Sequence, residues 1–243
     1  MEMNDQVKAE LTPTGKLRVA INLSNFLLVT GKADNGDPVG VSPDMAAEVA
    51  RRLGVPLELV PYPNPGALGD DADSGNWDIG NIGAEPQRAE KIAFSAAYCE
   101  IEATYLVPAG SPIQTIADVD KPGVRISVTG RAAYGLWLQN NIQHAELVKT
   151  DSLDSAYDTF VADKLEVLAG LRPRLISDVE KLPGARILDG QFSAVQQAMG
   201  TPRKNTEAAK WLAAFVEEAK ASGLVASFIE KHKVVGLSVA PPA

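Results

Sequence analysis

The 243-residue chain carries 31 acidic and 23 basic side chains, a formal net charge of −8, and 45% hydrophobic residues. That balance argues against nucleic-acid binding, which asks for a basic patch or stripe. The length allows one large or two small domains with a sizeable core, and no run of about 18 apolar residues reads as membrane-spanning. Cys99 is the single cysteine, which excludes an internal disulfide and a multi-cysteine metal site. His144 and His232 are the only histidines and lie far apart, so a histidine-rich metal site or a serine–histidine pair has little support.

The opening segment, MEMNDQVKAELTPTG, is polar and lacks the pattern of a signal peptide. Leu17, Val19 and Ile21 alternate with polar neighbours and predict a strand. Turn signals follow at Gly31, Asn35-Gly36 and Asp37-Pro38. Ser42 then offers an N-cap, Pro43 a first helical position and Asp44 a favourable charge on the dipole. Met45, Val49 and Leu53 recur at helical spacing, and Gly54 suits the C′ position. Val55, Leu57 and Leu59 open another strand, which makes a β-α-β unit with parallel strands. The acidic stretch from Gly66 to Gly75 gives a doubtful helix. Its Asp70, Asp71 and Asp73 lack the spacing of a calcium loop and read as a solvated turn.

The stretch from Trp77 to Ser95 holds the strongest functional signal. A strand over Trp77–Ile82 breaks at Gly83, and Pro86 fits a first helical turn. Arg88 follows in that turn, at a strand–helix junction of the kind where open α/β sheets bind ligands. Its guanidinium fork matches a carboxylate or phosphate; a solvated helix charge is the alternative. Beyond Ile101–Val107, Pro108, Gly110 and Pro112 mark a passage to a second lobe. There Val124–Val128, Glu146–Val148, Val167–Ala169 and Arg186–Leu188 predict strands. Helices are predicted over Arg131–Asn140, after a Ser152 cap, and over Leu175–Leu182. Gln191–Met199 reads as extended and leads back to the first lobe. Trp211, Leu212, Phe215, Val216 and Ala219 form the apolar stripe of a closing helix that ends at Gly223.

Taken in order, Gly15-Lys16-Leu17-Arg18-Val19, Pro38-Val39-Gly40-Val41-Ser42-Pro43-Asp44-Met45, Ser74-Gly75-Asn76-Trp77-Asp78-Ile79 and Gln87-Arg88-Ala89-Glu90-Lys91-Ile92-Ala93-Phe94-Ser95 form a familiar set. The chain resembles the family 3 extracellular solute-binding proteins, the polar amino-acid receptors of ABC transporters. That resemblance implies an α/β, two-lobed type II periplasmic-binding-protein fold. Each lobe is then a mixed sheet flanked by helices, and two crossing strands join them. The expected boundaries are 15–102 plus 193–235 for the first lobe and 103–192 for the second, with flexible ends at 1–14 and 236–243. The resemblance also implies a ligand in the interlobe cleft, a membrane-permease partner and a monomer, with no cofactor, no metal and no catalytic residue. It implies a periplasmic location, reached after removal of a leader; on the residues alone a cytoplasmic one stays open.

By the same resemblance Arg88 holds the ligand carboxylate, Phe26 packs on the ligand, and Asn81, Ile82 and Gly83 line the site. Thr129, Gly130 and Arg131 stand where the family carries an anion-binding turn. Such receptors place an aspartate for the ligand ammonium near the position of Leu171, and here no acid is found in Ala169-Gly170-Leu171-Arg172. Arg88, Arg131 and Arg172 together predict a positive site for an anionic or amino-acid-like solute; the alternative turns Arg131 and Arg172 toward solvent or nearby acids. Cyclohexadienyl dehydratases also resemble this family and share the pattern of Asp120-Lys121-Pro122-Gly123-Val124-Arg125. Such an enzyme needs a general acid, for which only Glu85 and Glu100 offer themselves, Glu85 read as support for the helix start and Glu100 for the hinge. A ligand-sensing domain of a larger receptor is a third reading.

Overall fold

The computed structural model describes residues 4–243. The chain divides into two compact units, the first comprising residues up to Glu100 together with Gln196–Ala243, the second Ile101–Val195.

In the first unit the alternation of Leu17, Val19 and Ile21 produces β1 (Leu17–Asn22), with all three side chains fully buried. It pairs in parallel with β4 (Leu57–Tyr62) on one side and β5 (Ile79–Gly83) on the other. The chain between β1 and β4 makes a short hairpin, β2 (Gly31–Lys32) with β3 (Pro38–Val39), and then α2 (Val41–Leu53). The cap expected at Ser42 is displaced: α2 begins behind Gly40, and Ser42 lies inside its first turn. Its hydroxyl instead accepts a hydrogen bond from Asn81 Nδ2 at 3.0 Å. Gly54 closes α2 at φ 65°, with its N–H on the carbonyls of Ala50 and Arg51, as the left-handed C′ position favours.

The doubtful stretch after Tyr62 does form a helix, α3 (Pro65–Asp70). Asn64 caps it by accepting from Ala67 N–H at 2.8 Å, and Leu68 is fully buried beneath it. Beyond β5 come α4 (Pro86–Ala89) and β6 (Ile92–Phe94). Strand β12 (Ser193–Pro202) runs antiparallel to both β5 and β6. The closing helices are α8 (Thr206–Ala221) and α9 (Leu224–Lys231). The predicted stripe of α8 is buried throughout, with Trp211 and Phe215 stacked at 5.5 Å.

Both ends, expected to be flexible, carry structure. Asn4 caps α1 (Asp5–Leu11), which buries Val7 and Leu11. Glu10 Oε2 accepts from Ala208 N–H at 2.8 Å and so serves the open first turn of α8. Near the C-terminus β13 (Ser238–Val239) pairs with Glu100 and Cys99 at the start of β7 (Cys99–Val107). Two apolar anchors among polar neighbours are too weak a pattern to announce α1. Residues 1–3 of that end lie outside the described residues.

In the second unit β10 (Val167–Leu171) lies antiparallel to β7 and parallel to β8 (Arg125–Thr129), which pairs in parallel with β9 (Glu146–Thr150). A short β11 (Arg186–Ile187) adds to β7. Helices α5 (Ala133–Asn141), α6 (Leu153–Ala162) and α7 (Arg172–Val179) connect these strands. α5 starts two residues later than expected and α7 three residues earlier. Ser152 caps α6 as predicted, in a reciprocal box with Ser155. Leu106, Phe160, Leu165, Leu168 and Leu175 build the core of this unit.

Candidate functional site

The carboxyl end of β5 turns through Ala84 and Glu85 into α4, with Pro86 in the first turn. Arg88 points back across this turn: its Nη1 donates to Gly83 O at 2.9 Å, and only 7% of the residue is exposed. The stem of Arg88 runs beside Gly69 of α3, where a Cβ would stand 3.7 Å from its Cγ. The short α3 therefore packs along the stem of this side chain. A charge buried to this degree is held by polar partners, of which the Gly83 carbonyl is one.

Glu85 stands at the N-cap of α4, and its side chain makes no capping hydrogen bond. It therefore does not serve the helix start in the manner expected of it. Burial pushes its carboxyl up to about 7, while the positive charge of Arg88 acts in the opposite direction. The junction thus pairs a guanidinium with a carboxyl that titrates near neutrality. The sequence offered both residues, Arg88 from its place at the junction and Glu85 as one of two candidate acids; the burial that raises the Glu85 carboxyl is what the structure adds.

The other first-unit residues divide by atom. Asn81 is buried, and its Nδ2 donates to Ser42 O at 3.2 Å as well as to Ser42 Oγ, so its amide ties β5 to α2. Ile82 packs in the core with Ala20, Leu68 and Trp77 and leaves only its backbone for a ligand. Gly83 is held by pairing with Gln197, and Ala84 N–H donates to Gln196 O at 2.8 Å. Phe26 is 38% exposed. It rides on a turn closed by Asn25, whose Oδ1 accepts from the N–H groups of Leu27 and Leu28.

In the second unit β8 ends at Thr129, and Gly130 N–H donates to Thr150 O at 3.0 Å. Ala132 is the N-cap of α5 and offers no side-chain cap, which leaves the first-turn N–H groups open to an acceptor. Helix and strand approach so closely that a Cβ on Gly135 would lie 2.2 Å from Thr129 O. Tyr134, buried beneath this turn, has its hydroxyl pushed up to about 12 by desolvation. Arg131 is exposed at the turn. Arg172 is committed within its own unit: Nε donates to Glu102 Oε2 at 2.5 Å and Nη2 to the Gly190 carbonyl. Leu171 is buried and apolar, and the buried acid on α7, Asp178, is bound by Arg174 through both oxygens.

A cavity of about 760 Å³ in the first unit lies elsewhere, at the amino ends of β1 and β5 beside Arg18, Trp77 and Asp78. It includes no residue of the Arg88 junction.

Residues 17–234 match the family described as bacterial extracellular solute-binding proteins, family 3. No curated protein sequence matches the chain. Among solved structures, the chain is similar to a solute receptor for L-cysteine of Neisseria gonorrhoeae, with 20% identity over 94% of this chain and 95% of that one and a TM-score of 0.75. A putative ABC-transporter binding component from Wolinella succinogenes, complexed with lysine, gives 20% identity, coverage of 90% and 95%, and a TM-score of 0.73. The ancestral amino-acid-binding protein AncCDT-1, a precursor of cyclohexadienyl dehydratase, gives 21%, 92% and 98%, and 0.72.

Proposed function

The chain belongs to the bacterial extracellular solute-binding proteins of family 3, and we propose that it is the receptor component of an ABC transporter. In this reading it captures a small carboxylate-bearing solute outside the cytoplasmic membrane and hands it to a membrane permease, as a monomer and without catalysis. The observation that carries the reading is Arg88, a guanidinium held 7% exposed at the carboxyl end of a parallel strand. We assign the solute carboxylate to Arg88, backbone contacts to Asn81–Gly83, and an apolar contact to Phe26. Thr129, Gly130 and Arg131 supply a second anion-binding turn. Arg172 is removed from this set, because Glu102 already neutralises it.

The relatives named for L-cysteine and lysine favour an amino-acid-like solute; the apolar Leu171 favours an organic anion without an amine. A thermal-shift and calorimetric screen of L-cysteine, L-lysine, L-arginine, dicarboxylates and aromatic acids tests the reading. Carboxylate solutes should bind and raise Tm by mass action. Failure of every carboxylate, or tight binding of a solute lacking one, would contradict it.

A dehydratase is the second reading, favoured by Glu85, whose carboxyl is poised near 7 as a general acid should be. Aromatic product formed on incubation with prephenate or arogenate would establish it over the receptor.

A further inference from the structure

The second unit holds an apolar pocket of about 370 Å³ that the solute site does not use. Its walls are Pro108, Phe160, Val161, Leu165, Leu182 and Pro183, and Lys164 is the one charged residue of its lining. The floor is rigid, because Phe160 and Leu165 belong to the core of this unit and Leu182 packs on the same cluster. At the rim, Val161 is 44% exposed, a large apolar side chain left facing water.

The backbone at Lys164 is fixed. Leu165 N–H donates to Phe160 O at 3.1 Å and Lys164 N–H to Val161 O at 3.4 Å, the two hydrogen bonds of a Schellman turn closing α6. Lys164 takes the left-handed position of that turn, at φ 50°. Glycine is the ordinary occupant of such a position, since a Cβ there is strained; Gly54 holds the equivalent place after α2. A lysine is thus set on a defined backbone at the edge of an apolar pocket that contains no carboxylate. Ligand pockets combine these parts: apolar walls for the body and a few polar groups for orientation.

We propose that this pocket binds an amphipathic monocarboxylate, with a short aliphatic or aromatic body among Phe160, Val161 and Leu182 and its carboxylate on the Lys164 ammonium. The pocket would hold about a dozen waters at about 30 Å³ each, enough for a body the length of octanoate. The assignment is independent of the Arg88 site, since no residue is shared.

Calorimetry with octanoate on the full chain tests it. The Arg88→Ala variant serves as host, so that the probe's carboxylate cannot report on the other site. Octanoate should bind with a submillimolar Kd and should bind the unmodified chain equally well at this pocket. Lys164→Gly suits the left-handed backbone and keeps the fold; it should weaken octanoate by about tenfold or more. Lys164→Glu should do the same and reverse the preference toward octylamine. Octanol should bind more weakly than octanoate. Absence of octanoate binding at millimolar concentration, or binding that both Lys164 variants leave unchanged, would overturn the proposal.

Discussion

The two units use the same clip to start their sheets and place it in different surroundings. In the first unit Arg18 N–H and Nε both donate to Asp78 Oδ2, at 2.9 and 3.0 Å, and Nη2 donates to Oδ1 at 2.7 Å. In the second, Arg125 N–H and Nε donate to Glu166 Oε2 at 2.8 and 3.0 Å, and Nη2 to Oε1 at 2.8 Å. Each arginine sits at the start of a strand and grips an acid that leads into a parallel neighbour. The side chains of the first pair are 15% and 3% exposed, those of the second 40% and 35%. The geometry is repeated, and the energetic weight is not. Hydrogen-bond count alone therefore misjudges what each clip contributes; the water around it decides.

Replacing one partner is the sharpest way to test that difference. Asp78→Ala leaves Arg18 charged in a mostly buried place and should cost about 3–5 kcal/mol. Glu166→Ala, in a pair open to solvent, should cost no more than about 1 kcal/mol. Urea unfolding at equal m-values reads both; equal losses would break the comparison.

The helix caps give the next effect. Asn64 in the first unit and Ser152 in the second each accept an N–H from the first turn of a helix, at 2.8 and 3.0 Å. Alanine at either should cost about 1 kcal/mol. Here the units should agree, because both caps satisfy the same kind of orphan donor.

Glu85 provides a pH-dependent contrast. Its carboxyl is raised in the folded chain, so the folded state binds the extra proton more readily. Stability from this group is therefore greatest at low pH and is lost as pH rises from the ordinary carboxylate range through about 7. Glu85→Gln removes that loss. It should stabilise the protein by about 1 kcal/mol at pH 8 once solvent screening is allowed for, and should change little at pH 4. A Tm difference that does not depend on pH would contradict the assignment.

Arg172 marks the smallest effect. Bound to Glu102 and the Gly190 carbonyl, it should tolerate alanine with less than about a threefold change in solute Kd, under 1 kcal/mol. A loss of the size expected at Arg88 would return it to the site.

Much of this was legible in the sequence. The type II periplasmic-binding fold was implied by the resemblance that the ordered landmark motifs carry, and the apolar stripe of α8 fell where its spacing put it. The end of α2 was set by a glycine suited to φ 65°. Its start was not, because a cap requires an extended backbone at one particular residue and Ser42 lies already inside the helix. The helix α1 escaped notice because its stability comes from docking on α8 through Glu10, a contact nearly two hundred residues away in sequence. For the candidate site, the strand–helix junction that carries Arg88 was readable from Gly83 and Pro86, whereas the coupling of Glu85 to Arg88 depends on burial. The commitment of Arg172 to Glu102 depends on a partner 70 residues away.

The central claim is that Arg88 grips a carboxylate, and calorimetry of Arg88→Ala against the unmodified chain tests it most directly, using the tightest carboxylate solute of the screen. Loss of a charge-assisted, bidentate contact should weaken binding by about 100-fold, or about 3 kcal/mol, while circular dichroism stays native. A variant that folds and binds that solute with unchanged Kd would contradict the account.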